Sequence, residues 1–457
     1  MREFREFGHK LIDWVADYLE SPERYPVLSS VAPNDIVDGL PAHGPEQGEI
    51  LDRIFEDFER IILPGITHWN HPRFLAYFAN TSSPPAVLAE LLAAALNANG
   101  ILWKTSPAVT ELEVVTLRWL LHWFGLPETW FGMILDTAST ATLHAIAAAR
   151  VAIAPETRDA GAPDDLVLYT SDQAHSSVEK GAMVLGIGRH NVRSIPTDGE
   201  FRMLPALLQQ AINIDREAGL RPFCVVATVG TTSTTSIDPI PAIADIAARE
   251  GLWLHIDAAY AGSAAVVPEY RWVLDGCERA DSLVFNPHKW LMVPVDCSVL
   301  YCSHPDVLRR TFSLVPEILR TADGGLNMLD YGIPLGRRFR ALKLWFVMRY
   351  YGREGLAQVI REQVSMTHEL RDRIAADPRF EICAPAPLSV ICFRQRGTDE
   401  ANRLLFDAIN GSGRFFISST VVHGVYILRI AVGNRLTSRA TLDELWSLLD
   451  ALAGTTR

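Results

Sequence analysis

Apolar residues recur at helical spacing at the start of the chain. Phe4, Phe7, Leu11, Trp14, Val15, Tyr18 and Leu19 fall on one stripe, which predicts a helix over residues 1–20. Residues 21–48 are rich in Pro and Gly and carry no period, so they are expected to cross a surface, such as that of a partner subunit. An amphipathic pattern resumes over 49–63 and stops at Pro64-Gly65. The middle of the chain reads differently. Short, almost wholly apolar runs at 166–169, 223–229, 252–256, 283–285 and 298–301 have the signature of strands buried on both faces. Helical patterns at 138–150, 176–185, 203–218 and 241–250 separate them. That alternation predicts an α/β layered unit with a mainly parallel sheet. Beyond residue 343 the order changes again. Helices over 341–351 and 356–375 precede strands at 380–383, 390–394, 415–421 and 425–431, with a turn at His423-Gly424 and a closing helix over 438–452. This segment is expected to form a separate α+β domain.

Composition narrows the class. The chain has 457 residues, of which 48% are apolar and 21% charged, ordinary values for a globular protein. Its 42 Lys and Arg against 54 Asp and Glu give a net charge of −12, which argues against nucleic acid and anionic membranes as partners. The longest apolar stretch, Ala86 to Leu96, contains Glu90 and is too short to span a bilayer. The N-terminal MREFREFGHK lacks the apolar core of a secretory signal, so a cytoplasmic location is expected. The six Cys, at 224, 277, 297, 302, 383 and 392, form no CxxC pair. They read as reduced thiols, and neither a metal site nor a disulfide framework is indicated.

Candidate chemistry gathers where the strands end, the place where open α/β sheets bind ligands. The run Ser282-Leu-Val-Phe-Asn-Pro-His-Lys-Trp290 delivers Asn286, His288 and Lys289 at a strand end. A lysine among apolar and aromatic residues suits a Schiff-base amine. In Leu252-Trp-Leu-His-Ile-Asp-Ala-Ala-Tyr260, Asp257 follows a strand and suits a protonated ring nitrogen. The small residues of Asp136-Thr-Ala-Ser-Thr-Ala-Thr142 open a helix whose N-terminus suits a phosphate. Ser171-Asp-Gln-Ala-His175-Ser-Ser places a histidine able to stack on a flat ring, and Thr228-Val-Gly-Thr-Thr232 offers hydroxyls. Taken singly, each has an ordinary structural explanation. Their combination at successive strand ends does not.

Together these segments resemble the fold-type I pyridoxal-phosphate enzymes. The strings DQAHSSVEK, HIDAAYAGSA, FNPHKW, PLGRRFRALKLWFVMRYYG, THWNHPRFLAYF and SPAVTELE are similar to those of the group II decarboxylases, the aromatic-L-amino-acid decarboxylase family, across nearly the whole chain. The resemblance implies an α/β fold-type I architecture. Its mainly parallel seven-stranded sheet has helices on both faces, in three parts: a dimer-swapped helical flap over 1–83, a large cofactor domain over 84–342 and a small α+β domain over 343–457. It implies pyridoxal 5'-phosphate as cofactor and an obligate homodimer with shared sites. Lys289 would hold the cofactor, Asp257 would pair with its pyridine nitrogen, and His175 would stack on its ring. Ala138 and Ser139 would bind its phosphate, with Thr232, Ala259, Asn286 and His288 as further contacts. Trp69, Tyr77 and Phe78 would form an aromatic substrate wall, and Ile101 would reach into the neighbouring subunit's site. The implied reaction is decarboxylation of an aromatic L-amino acid to an arylalkylamine.

One position departs from the family. Its loop after the lysine usually reads Pro-x-Tyr-Leu, and that Tyr protonates the substrate carbon. Here the segment is Pro316-Glu-Ile-Leu319, so Ile318, which cannot donate a proton, takes that position beside the substrate. Two readings stay open: another donor such as His175 or water, or oxidative conversion to an aromatic acetaldehyde, as in the family's aldehyde synthases. Two smaller features are Lys104, charged where relatives are uncharged, and Gly336, a small residue expected to leave room for a larger ring.

Overall fold

The computed structural model describes residues 1–78, 80–314 and 324–453. A seven-stranded sheet forms the centre, with β2 (Phe131–Leu135), β3 (Leu166–Ser171), β4 (Val192–Ile195), β5 (Arg221–Thr228), β6 (Trp253–Asp257), β7 (Ser282–Phe285) and β8 (Ser298–Cys302) in the order β2-β8-β7-β6-β5-β3-β4. The strands from β4 to β7 pair in parallel, and β8 runs antiparallel to both of its neighbours. The sheet is therefore mainly parallel, as expected. Helices Ala138–Ile153, Pro205–Glu217 and Ile240–Glu250 supply crossovers, and every residue of β3, β6, β7 and β8 is buried. Strands so largely apolar need this covering on both faces.

A second, five-stranded sheet combines β1 (Phe74–Leu75), β9 (Phe380–Ile382), β10 (Val390–Gln395), β11 (Phe416–Val422) and β12 (Val425–Ala431) in the order β1-β11-β12-β10-β9. β1 comes from the N-terminal region and pairs in parallel with β11, so the start of the chain is stitched to its end. Helix Arg2–Glu20 matches the predicted first helix. The two helices expected over 341–351 and 356–375 form one element, Arg340–Ala376, broken at Gly352 with φ 63°. Glycine takes that left-handed geometry without a Cβ penalty. The helix runs across residue 343 and carries Lys343, which is buried against Glu90 of helix Pro84–Leu96 at 2.6 Å.

Two of the quoted strings meet inside the molecule. Glu113, the last residue of SPAVTELE, accepts from the Arg337 guanidinium of PLGRR at 2.6 Å and from Ile134 N–H at 2.7 Å. Both charged side chains are buried. Five of the cysteines are buried and the sixth, Cys383, is half-buried; all six are free thiols. No helix among the described residues is long and apolar enough to cross a membrane.

Candidate active site

The carboxyl ends of β5, β6 and β7 converge on a cavity of about 190 Å³. It is lined by Phe78, Thr137, Ala138, Ser139, His175, Thr228, Gly230, Thr232, Asp257, Ala259, Tyr260, Asn286, His288 and Lys289. All nine residues that the sequence assigns to the cofactor thus meet in one place, as does Phe78 of the aromatic wall.

Each is set by its own element. Asp257 is the last residue of β6, beside Thr228 of β5 in the ladder. Its Oδ1 accepts from Ala259 N–H at 3.0 Å, and its other oxygen takes no protein hydrogen bond among the described residues. Asn286 caps the turn Pro287–Trp290 that carries Lys289, and its Oδ1 accepts from the Ser298 hydroxyl at 2.6 Å. His288 accepts from Cys297 N–H at 2.9 Å through Nδ1, and burial pushes its imidazole down to about 4, so it is neutral. Burial also lowers the Lys289 ammonium, an effect opposed by Asp257 and reinforced by Arg429. More of the amine is then free base at neutral pH than for an ordinary lysine.

His175 follows β3. Ser177 donates its backbone N–H to His175 Nδ1 at 3.2 Å, and the Ser177 hydroxyl lies 2.8 Å from the same nitrogen. Nδ1 is therefore an acceptor, and the neutral ring carries its proton on Nε2. Desolvation by the cavity wall lowers the imidazole from its ordinary value of 6.5, although part of the ring still meets solvent.

The helix Ala138–Ile153 begins at the cavity. Thr137 caps it, its hydroxyl accepting from Thr140 N–H at 3.4 Å. The backbone N–H groups of Ala138 and Ser139 are left for an anion, and the helix dipole favours one there. A buried amine, a carboxylate with a free oxygen, a ring-stacking histidine and an anion-binding helix start fit pyridoxal phosphate group by group. Among the described residues no cluster of His, Cys, Asp and Glu is arranged to hold a metal ion.

The remaining predicted residues lie elsewhere. Trp69 and Tyr77 stack with ring centroids 5.9 Å apart, and Tyr77 lines a smaller cavity that adjoins the first through Phe78 and Thr232. Ile101 is half-buried on the connection before helix Pro107–Phe124 and lines neither cavity of its own chain. Gly336 is exposed, and a Cβ built there would meet nothing of this chain within 4 Å, so it makes no room in this chain's cavity. Lys104 is exposed. Ile318 lies outside the described residues.

Sequence reasoning counted Thr228 among the hydroxyls of its string but did not single out Thr137, Gly230 or Tyr260, though each stands inside a quoted string. It missed Arg429 altogether. The one signal was a charged residue in the middle of an apolar strand, Val425-Tyr-Ile-Leu-Arg-Ile-Ala431.

The family described as "Pyridoxal-dependent decarboxylase conserved domain" matches residues 33–396. The chain is 43% identical to aromatic-L-amino-acid decarboxylase of Mus musculus, over 99% of this chain and 98% of that protein. It is 41% identical to phenylacetaldehyde synthase of Arabidopsis thaliana, over 98% and 94% respectively. The crystal structure of Oryza sativa TDC with PLP and tryptamine superposes with a TM-score of 0.96 at 38% identity, covering 100% of this chain and 98% of that one. The chain therefore belongs to the aromatic-L-amino-acid decarboxylase family of group II decarboxylases, carboxy-lyases whose cofactor is pyridoxal phosphate.

Proposed function

We propose that the protein decarboxylates an aromatic L-amino acid to the corresponding arylalkylamine and CO2. The observation that carries this reading is the fixed tautomer of His175, which keeps a proton on Nε2 at the cavity wall. When bound, the cofactor would supply a carbonyl for the substrate amine and an electron-accepting ring. The chain's own residues would do the rest. Lys289 would hold the cofactor through its amine, and Asp257 would hold a proton at the ring nitrogen through its free oxygen. Ala138 and Ser139 would hold the phosphate, and His175 would cover the ring. When CO2 departs, one proton must reach the substrate carbon, and His175 Nε2–H would deliver it as Nδ1 takes a proton relayed from solvent through the Ser177 hydroxyl 2.8 Å away, so that the ring stays neutral.

The aldehyde outcome is the second reading, favoured by Ile318 and by the similarity to an aldehyde synthase. The two separate in the variant Ile318→Tyr. If His175 is the donor, wild type already yields amine and the variant yields the same product. A switch from aldehyde to amine on adding the tyrosine would overturn the proposal.

The assembly we propose is a homodimer built on the three-part organisation 1–83, 84–342 and 343–457. Leu88, Leu91, Leu92, Leu96, Ile333 and Leu335 are all at least 46% exposed. They belong to the segments beside Ile101 and Gly336, which are joined by the Gly100 N–H to Arg337 carbonyl bond at 3.0 Å. An apolar face of this extent is a docking surface. A second copy would cover it and bring Ile101 to the neighbouring site.

A further inference from the structure

Arg429 is 4% exposed and sits at the centre of β12, yet no Asp or Glu pairs with it among the described residues. A buried cation without a carboxylate is costly, and an apolar side chain would suit the strand better. Its contacts show what it does. Nε donates to Ser233 O at 3.0 Å, next to the cavity residue Thr232. Nη1 donates to Tyr77 O and lies 3.4 Å from Ser418 Oγ. Ser418 is Arg429's partner across the β11–β12 ladder and accepts from Tyr77 N–H at 3.3 Å. Nη2 has no hydrogen-bond partner among the described residues, but the guanidinium carbon lies 4.5 Å from the Phe78 ring centroid, so the ring face shares the charge.

Tyr77 needs such a clamp. Its φ is 50°, the left-handed region that bulky residues adopt only when their surroundings impose it. That turn sends Phe78 into the cavity. Its ring stacks on Tyr260 at 4.0 Å between centroids, with Lys289 Nζ 5.0 Å from the centroid. An extended Tyr77 would redirect Phe78 away from both.

We infer that Arg429, seconded by Ser418, is a positioning residue for the substrate: it locks Tyr77 in its left-handed turn and so places the Phe78 ring against Lys289. The inference rests on the reading of the cavity as an amino-acid decarboxylase site. It does not depend on whether amine or aldehyde leaves.

The test uses the full-length holoenzyme with Arg429→Gln, Arg429→Lys and Ser418→Ala, each assayed by CO2 release on a panel of aromatic amino acids and by titration of the apoprotein with pyridoxal phosphate. Arg429→Gln is expected to raise KM about ten-fold or more and to narrow the preference among rings, the size of effect that a reshaped pocket gives. The cofactor dissociation constant and visible absorbance should stay within about two-fold. Arg429→Lys keeps the charge without the fork and should leave KM raised. Ser418→Ala should shift KM in the same direction by less, and the double variant should fall short of the product of the two effects. Should Arg429→Gln not fold, Ser418→Ala carries the test alone. Unchanged KM in Ser418→Ala, full rescue by lysine, or a parallel loss of cofactor affinity would each overturn the clamp. No CO2 from wild type on any aromatic amino acid would instead sink the decarboxylase reading.

Discussion

The backbone N–H of Ser177 donates to Nδ1 of His175, and that bond decides which nitrogen of the imidazole carries the proton. The proton sits on Nε2, and Ile318, which the sequence reading puts where a proton-donating tyrosine is expected, has no proton to give. The proposed chemistry follows from this pair.

His175→Asn should lower kcat by roughly 10²–10³, within the range for loss of a general acid. Desolvation holds the imidazole below 6.5, so the ring is neutral at neutral pH and gains a second proton only as pH falls further. That proton goes to Nδ1 and breaks the Ser177 contact. The kcat profile should therefore be flat through neutrality, with its acid limb below pH 6.5. A limb centred above that value would point to a different donor.

Lys289 and Asp257 should separate cleanly. Lys289→Ala removes the amine that anchors the cofactor, so both turnover and the visible absorbance of bound cofactor should vanish, and borohydride should fix no cofactor to the chain. Asp257→Ala should keep much of the cofactor yet lose roughly 10²–10³ in kcat, the scale of one preorganised electrostatic contact. Near-normal turnover in Asp257→Ala would contradict its role at the ring nitrogen.

The buried pair Glu113–Arg337 ties the helix Pro107–Phe124 to the PLGRR segment. Glu113→Ala leaves the guanidinium buried and unpaired, which should cost about 3–5 kcal/mol of stability. Urea unfolding of the two proteins measures it. A change under about 1 kcal/mol would mean that the site relaxes or admits water.

The apolar face on helix Pro84–Leu96 should hold the proposed dimer together. Leu92→Asp places a charge in its middle and should shift the protein toward monomer in sedimentation, with loss of activity. A monomeric wild type with full turnover would rule out the shared site.

The sequence made the core of this molecule legible for a physical reason. Strands buried on both faces are mostly apolar, so the apolar stretches of β3, β5, β6, β7 and β8 stood out as short runs. The strand β4, Val-Arg-Ser-Ile, escaped notice because it lies at the sheet edge, where polar residues are tolerated. β2 contains Gly132, which weakens a strand pattern, and β1 is only two residues long. The residues that line the cavity were legible because they stand at or after strand ends within distinctive strings. Arg429 was not, because its meaning lies in Tyr77 and Ser233, residues distant from it along the chain. Ile101 and Gly336 were expected beside a substrate, but in a single chain neither lines the cavity. Only a second copy would give them that place.

The most direct measurement is the ratio of hydrogen peroxide to CO2, made in air with purified enzyme, added pyridoxal phosphate and a panel of aromatic L-amino acids. With His175 delivering the proton, the ratio should be near zero and amine should accumulate in step with CO2. A ratio near one, with aldehyde and ammonia in place of amine, would contradict that account and assign the protein to oxidative chemistry.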